Sequence, residues 1–174
     1  SRTLVAEVET DGDGDFPWVT FEVPESYTGP HKVRAQINTT FYADYDFTVK
    51  PGLTVSPKEG PVGINVTVKG LGFAKNEKNI EIRYYLDGNY TTVASNISAN
   101  ATGSWQKSFQ IPTSDQGSHK IDAQGNTTTL AAVMDAFFEV KPGITLDRTS
   151  GSLGQSITMT GSGFAAGERD ITIL

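Results

Sequence analysis

One block of this sequence is written twice. Val49-Lys50-Pro51-Gly52 returns as Val140-Lys141-Pro142-Gly143, an offset of 91 residues. At the same offset Gly60-x-x-Gly63 returns as Gly151-x-x-Gly154, and Val66-Thr67-Val68-x-Gly70-x-Gly72-Phe73 as Ile157-Thr158-Met159-x-Gly161-x-Gly163-Phe164. A second block repeats at an offset of 88: Phe21-x-Val23-Pro24 matches Phe109-x-Ile111-Pro112, and Gly29-x-His31-Lys32-Val33 matches Gly117-x-His119-Lys120-Ile121. A fixed period of this size predicts a tandem array of one small domain. Residues 52–142 then form a complete module, 1–51 the C-terminal half of one repeat and 143–174 the N-terminal half of another. The chain reads as a piece of a longer array. A repeated module seldom carries a single active site, so the repeat itself argues against an enzyme.

Composition narrows the choice. The chain is 37% hydrophobic and 10% aromatic, enough for a β-sandwich core and too much for disorder. Its net charge of −6 argues against nucleic acid, which needs a basic face. No apolar run approaches the length of a membrane-spanning helix. Cysteine is absent, which removes thiol catalysis and cysteine-based zinc sites.

The patterning is that of strands. Val66 and Val68 alternate with Thr67 and Lys69, Ile80, Ile82 and Tyr84 with Glu81 and Arg83, and Phe138 and Val140 flank Glu139. A period of two buries one face and wets the other. Turn signals at Gly60-Pro61, Asp87-Gly88-Asn89, Asn100–Gly103, Asp115–Gly117 and Gly125-Asn126 divide the run. Seven strands result, at 53–56, 65–69, 79–86, 90–94, 105–111, 118–124 and 131–140. That is the pattern of an all-β immunoglobulin-like sandwich, with Val66, Val68, Ile82, Tyr84, Trp105, Phe109, Ile121, Phe138 and Val140 facing inward. Gly70 and Gly72 are expected to make the sharp turn that lets Phe73 plug the end of the core.

The order Thr-x-Ser-Pro, Gly-Pro-x-Gly-x-x-Val-Thr-Val-x-Gly-x-Gly-Phe, Trp105 after Gly103, Phe-x-Ile-Pro and Gly-x-His resembles the IPT/TIG-like immunoglobulin-like repeats of prokaryotic cell-surface and S-layer-type proteins. The resemblance covers most of 52–142 and both flanking pieces, and the Gly-x-Gly-Phe box is its most specific part. It implies a sandwich fold and a surface role, and it brings no shared catalytic residues.

Few residues suggest chemistry. Six Asn-x-Ser/Thr sequons, at Asn38, Asn65, Asn89, Asn96, Asn100 and Asn126, use six of the eight asparagines, where chance would give about 1.6. They predict a glycoprotein. Dense sequons without cysteine fit an archaeal surface protein better than an animal one. Asp11, Asp13 and Asp15 alternate with glycines and could point their carboxylates at one calcium ion, with Glu22 in the twelfth position. Phe16 stands where an EF-hand keeps glycine, and the matching loop Asn100–Gly103 drops the charges, so the competing expectation is a hairpin turn with an acidic tip. His31 and His119 fall at equivalent strand starts and belong to the module. Tyr27, Tyr42, Tyr45, Tyr85 and Tyr90 are the best raw material for a sugar or protein contact, against the competing expectation of ordinary strand packing.

The expected function is structural: an extracellular, cell-surface array acting as spacer and lattice contact, with Val-Lys-Pro-Gly as a stiff joint. Self-association is expected head to tail through the half modules, with other surface proteins or glycans as further partners. An adhesin or carbohydrate-binding module is the first rival, and an accessory sandwich of an extracellular enzyme the second.

Overall fold

The computed structural model describes residues 2–86 and 88–174. Its strands are β1 (Gly29–Gln36), β2 (Tyr42–Val49), β3 (Gly52–Ser56), β4 (Glu59–Gly60), β5 (Asn65–Leu71), β6 (Ile80–Leu86), β7 (Asn89–Ile97), β8 (Trp105–Gln110), β9 (Gly117–Gln124), β10 (Ala136–Val140), β11 (Gly143–Leu146) and β12 (Met159–Ser162). A single 3-10 turn, Leu130–Ala132, is the only helical element among the described residues.

Strands β3 to β10 build an immunoglobulin-like sandwich. One sheet has the order β3-β5-β8 and the other β4-β10-β9-β6-β7. Alternation decides which side chains meet between them. Val66, Val68, Trp105 and Phe109 from the first sheet and Ile80, Ile82, Tyr84, Ile121, Phe138 and Val140 from the second form one buried cluster. All nine side chains expected inside are there.

Three details depart from the sequence reading. The last strand begins at Ala136 and not at 131, because 130–134 is drawn away to dock on β3: Met134 N–H donates to the Pro51 carbonyl (2.9 Å) and its own carbonyl accepts Leu53 N–H (3.0 Å). The two-residue β4, parallel to the end of β10, is too short to show a period. Gly70, expected in a turn, lies inside β5, and its backbone is not in the left-handed region. Its lack of a side chain serves packing, because a Cβ there would overlap the Trp105 ring. Gly72 is the turn residue, at φ +69. It delivers Phe73 to the core, edge-on to Trp105 with ring centroids 5.2 Å apart.

Flanking the sandwich are two hairpins that copy its strand pairs. β1 pairs with β2 from Gly29↔Val49 through Val33↔Tyr45, matching the β9–β10 register from Gly117↔Val140 through Ile121↔Ala136. β11 pairs with β12 from Gly143↔Ser162 to Leu146↔Met159, the register of Gly52↔Leu71 to Val55↔Val68 in β3–β5.

Candidate assembly interface

The sandwich meets each hairpin through the same joint. Before it, Thr28 N–H donates to the Phe73 carbonyl, and after it Gln116 N–H donates to the Phe164 carbonyl, both at 3.1 Å. Thr28 and Gln116 are 88 apart and Phe73 and Phe164 are 91 apart, the two repeat offsets. Gly72 and Gly163 have φ of +69 and +68. A Cβ on either would stand 2.8 or 2.9 Å from the carbonyl oxygen of Lys50 or Lys141. The second glycine of the Gly-x-Gly-Phe box therefore serves two needs at once, a left-handed turn and close passage of the incoming chain. The first joint adds a hydrogen bond from Ser104 Oγ to Glu25 Oε2 (3.0 Å) and one from Thr28 Oγ1 to the Val49 carbonyl (3.3 Å).

Beyond the joints, equivalent residues live in opposite surroundings. Val68, Ile80 and Phe138 are 0% exposed, whereas their counterparts Met159, Ile171 and Phe47 are 38%, 53% and 42% exposed. Trp105 is 7% exposed, whereas Phe16, which follows the matching turn (Gly14-Asp15-Phe16 against Gly103-Ser104-Trp105), is 50% exposed. Ile144, Met159, Gly161, Phe164, Ile171 and Ile173 line an open cavity of about 720 Å³. In the sandwich the matching positions, Leu53, Val68, Gly70, Phe73, Ile80 and Ile82, are sealed by the opposite sheet.

Inside the sandwich the two halves are clamped by a buried carboxylate that the sequence reading missed. Glu77 accepts hydrogen bonds from Thr127 N–H (2.7 Å), Thr128 N–H (2.6 Å) and Ala74 N–H (3.0 Å), and from the Thr128 hydroxyl. Burial pushes its pKa up, but these four bonds outweigh burial and hold it below the usual glutamate value. The signal was present in the repeats: Glu77 returns as Glu168, and Thr127-Thr128 matches Thr39-Thr40.

The acidic loop is a closed turn. Asp11 Oδ1 accepts N–H groups of Asp13 and Asp15, each at 3.0 Å. Asn100 Oδ1 accepts those of Thr102 and Ser104, each at 2.9 Å, in the matching loop. Asp and Asn hold such turns equally well. No group of three or more metal-ligating side chains is gathered among the described residues, here or elsewhere. All six sequon asparagines are exposed. Two also serve turns: Asn38 Oδ1 accepts from Thr40 and Phe41 N–H, and Asn100 acts as described.

His31 and His119 occupy equivalent places. Each places Nε2 against the carbonyl four residues earlier, Tyr27 at 2.7 Å and Asp115 at 3.0 Å, and His119 also stacks on Tyr84. Tyr85 and Tyr90 come within 5.8 Å of each other on the five-stranded sheet, with Lys120 and Arg83 lying over their rings. Beneath them Asp122 is buried, and burial pushes its carboxyl above the usual aspartate value against the opposing bond from Ala123 N–H. Among the described residues, no helix is long and apolar enough to cross a membrane.

No curated protein sequence matches the chain. Residues 53–138, the span of the complete sandwich, match the family model of the IPT/TIG domain, and the sandwich of this chain is similar to that immunoglobulin-like family.

Proposed function

We propose that this chain is a stretch of a tandem array of immunoglobulin-like modules in an extracellular, S-layer-type cell-surface protein, working as spacer and self-assembling contact. In this reading 52–142 is one complete module, and 1–51 and 143–174 are the second and first halves of its neighbours. The observation that carries it is the duplicated joint. Thr28 to Phe73 and Gln116 to Phe164 fix both neighbours through the same backbone contacts, as expected of units that repeat along an axis. The exposed sequon asparagines are read as glycan acceptors. No step of catalysis is assigned. Small-angle scattering tests the joint: inserting two glycines between Lys50 and Pro51 should turn a stiff rod-like profile into a flexible one. An unchanged profile would sink the array reading.

A carbohydrate-binding reading rests on the Tyr85–Tyr90 pair. Arg83 and Lys120 already cover those rings, which leaves less aromatic face for a sugar. A glycan-array screen separates the readings, because the spacer should bind no sugar.

A further inference from the structure

Strand register sets the outward face of the five-stranded sheet. Ile82, Tyr84, Ile121 and Phe138 turn into the core, so their neighbours along each strand turn out. Tyr85 pairs with Tyr90, Tyr84 with Ile121, and Lys120 with Phe137. Tyr90, Tyr85, Lys120 and Phe137 therefore form one row across β7, β6, β9 and β10. Tyr90 is 51% and Phe137 56% exposed at its two ends. Below this row Arg83 pairs with Asp122 in register, and below that Glu81 pairs with Gln124. The charges are already matched within the face: Arg83 bonds Glu81, and Lys120 lies 3.5 Å from the buried Asp122 and 3.4 Å from Asp135. Covering this flank strands no unpaired charge.

The fold itself does not require the aromatic row. In the preceding half module the register sets Lys32 against Asp46, where the sandwich has Lys120 against Phe137. Lys32 and Asp46 form a 2.9 Å ion pair whose side chains are 62% and 72% exposed. One copy of the pattern thus meets water with charge, and the other presents an exposed phenylalanine in the same place. The joints engage the sandwich at Phe73 and Gln116 and do not use this flank. β6, β9 and β10 carry no sequon, and the two on β7, Asn89 and Asn96, stand at or next to its ends.

Resting on the self-assembling reading above, we propose that this flank is a lateral contact with the same flank of a second copy, related by a two-fold axis that runs along the strands between β6 and β9. The face is complementary to itself under that rotation, because the row is read backwards in the copy. Tyr90 meets Phe137 of the copy at both ends, an aromatic pair, and Tyr85 meets Lys120 of the copy in the middle, an aromatic ring against an ammonium. In the lower rows Arg83 stands over Asp122 of the copy and Glu81 over Gln124, so no like charges are opposed. A two-fold axis lying along the row would instead set Lys120 against its own copy. The strands of both molecules run in the same direction, so arrays lie side by side. Four strands and the seven residues of β6 give a footprint about 20 Å on a side, the low end for a specific contact. A single module therefore associates weakly, and a file of modules multiplies the contact.

The test uses the full 174-residue chain in sedimentation-equilibrium and light-scattering runs up to millimolar concentration. The wild type should pass from monomer to dimer. Phe137→Asp installs the residue type that the preceding half module carries at this place, and it should weaken the dimer by at least about tenfold. Tyr90→Lys should do the same. Tyr90 and Phe137 lie on β7 and β10 with two strands between them, too far apart to meet within one molecule. In the double variant, Tyr90→Lys with Phe137→Asp, an ammonium faces a carboxylate twice across the axis. Dimerisation should then return and become sensitive to salt. An unaltered melting transition verifies that each variant is folded. A wild type that stays monomeric, or self-association indifferent to Phe137→Asp, overturns the proposal, and a double variant that stays apart overturns the two-fold arrangement. None of these results bears on the scattering test of the joint, which reads flexibility within one chain.

Discussion

The closed sandwich and its two open hairpins are the same sequence pattern under two conditions. Registers agree residue for residue between β1–β2 and β9–β10, and between β11–β12 and β3–β5. Burial does not agree. Strand pairing follows from local alternation and turn chemistry, and it survives in half a module. A core needs a second sheet, and sealed apolar faces appear only where both are present. The hairpins thus show what a repeat specifies locally, and the sandwich shows what only its completion supplies.

Truncating matched aromatics should separate the two regions most. Trp105→Ala or Phe109→Ala should cost the sandwich about 3–5 kcal/mol in denaturant unfolding. Phe21→Ala, at the position that matches Phe109, should change the same transition by less than about 0.5 kcal/mol in dilute solution. An equal loss at Phe21 and Phe109 would mean that the N-terminal half is already closed.

The buried carboxylate comes next. Glu77→Gln should cost roughly 2–3 kcal/mol at neutral pH, because the amide cannot accept all four bonds. Glu77 has a folded-state pKa below its unfolded value of 4.5, so its contribution is complete above about pH 4.5. It is lost as pH falls through the folded value. The gap between wild type and Glu77→Gln should therefore narrow in acid, and the raised pKa of Asp122, present in both proteins, cancels from the difference. Glu168→Gln should leave the thermal transition where it was.

Glycine offers a smaller contrast. Gly70→Ala forces a methyl group into the Trp105 ring and should cost about 1–3 kcal/mol, while Gly161→Ala, whose methyl would press only on the edge of the Phe164 ring at 3.0 Å, should cost less than about 1 kcal/mol by calorimetry. The smallest effect concerns the acidic loop. Asp11→Asn reproduces the turn that Asn100 already makes, so stability should move by less than about 0.5 kcal/mol. Millimolar calcium should leave the melting temperature unchanged, since Asp11 Oδ1 is engaged with two backbone N–H groups. A calcium-dependent rise would support the metal reading of Asp11, Asp13 and Asp15.

Much of this was legible in the sequence, for a physical reason. Period-two alternation in Val66–Val68, Ile80–Tyr84 and Phe138–Val140 states which side chains face in. The Glu77 clamp escaped because its partners stand 50 and 51 residues away, in a block that repeats at a different offset. Gly70 was misassigned because sequence records that a side chain is missing without recording what fills its place. β4 escaped because two residues hold no period.

The Val-Lys-Pro-Gly joints also fix how a pull along the chain would be felt. Tension enters the sandwich at Gly52, beside Leu71, and leaves at Val140, beside Gly117, at the opposite pole. β3 and β10 are thus dragged lengthwise past their antiparallel neighbours β5 and β9, and β10 past its parallel partner β4. In that direction the ladder hydrogen bonds are loaded together and must yield as a group, whereas peeling a strand from one end would break them one by one. On the array reading proposed above, the path of the backbone between modules would make each sandwich a tension-bearing link.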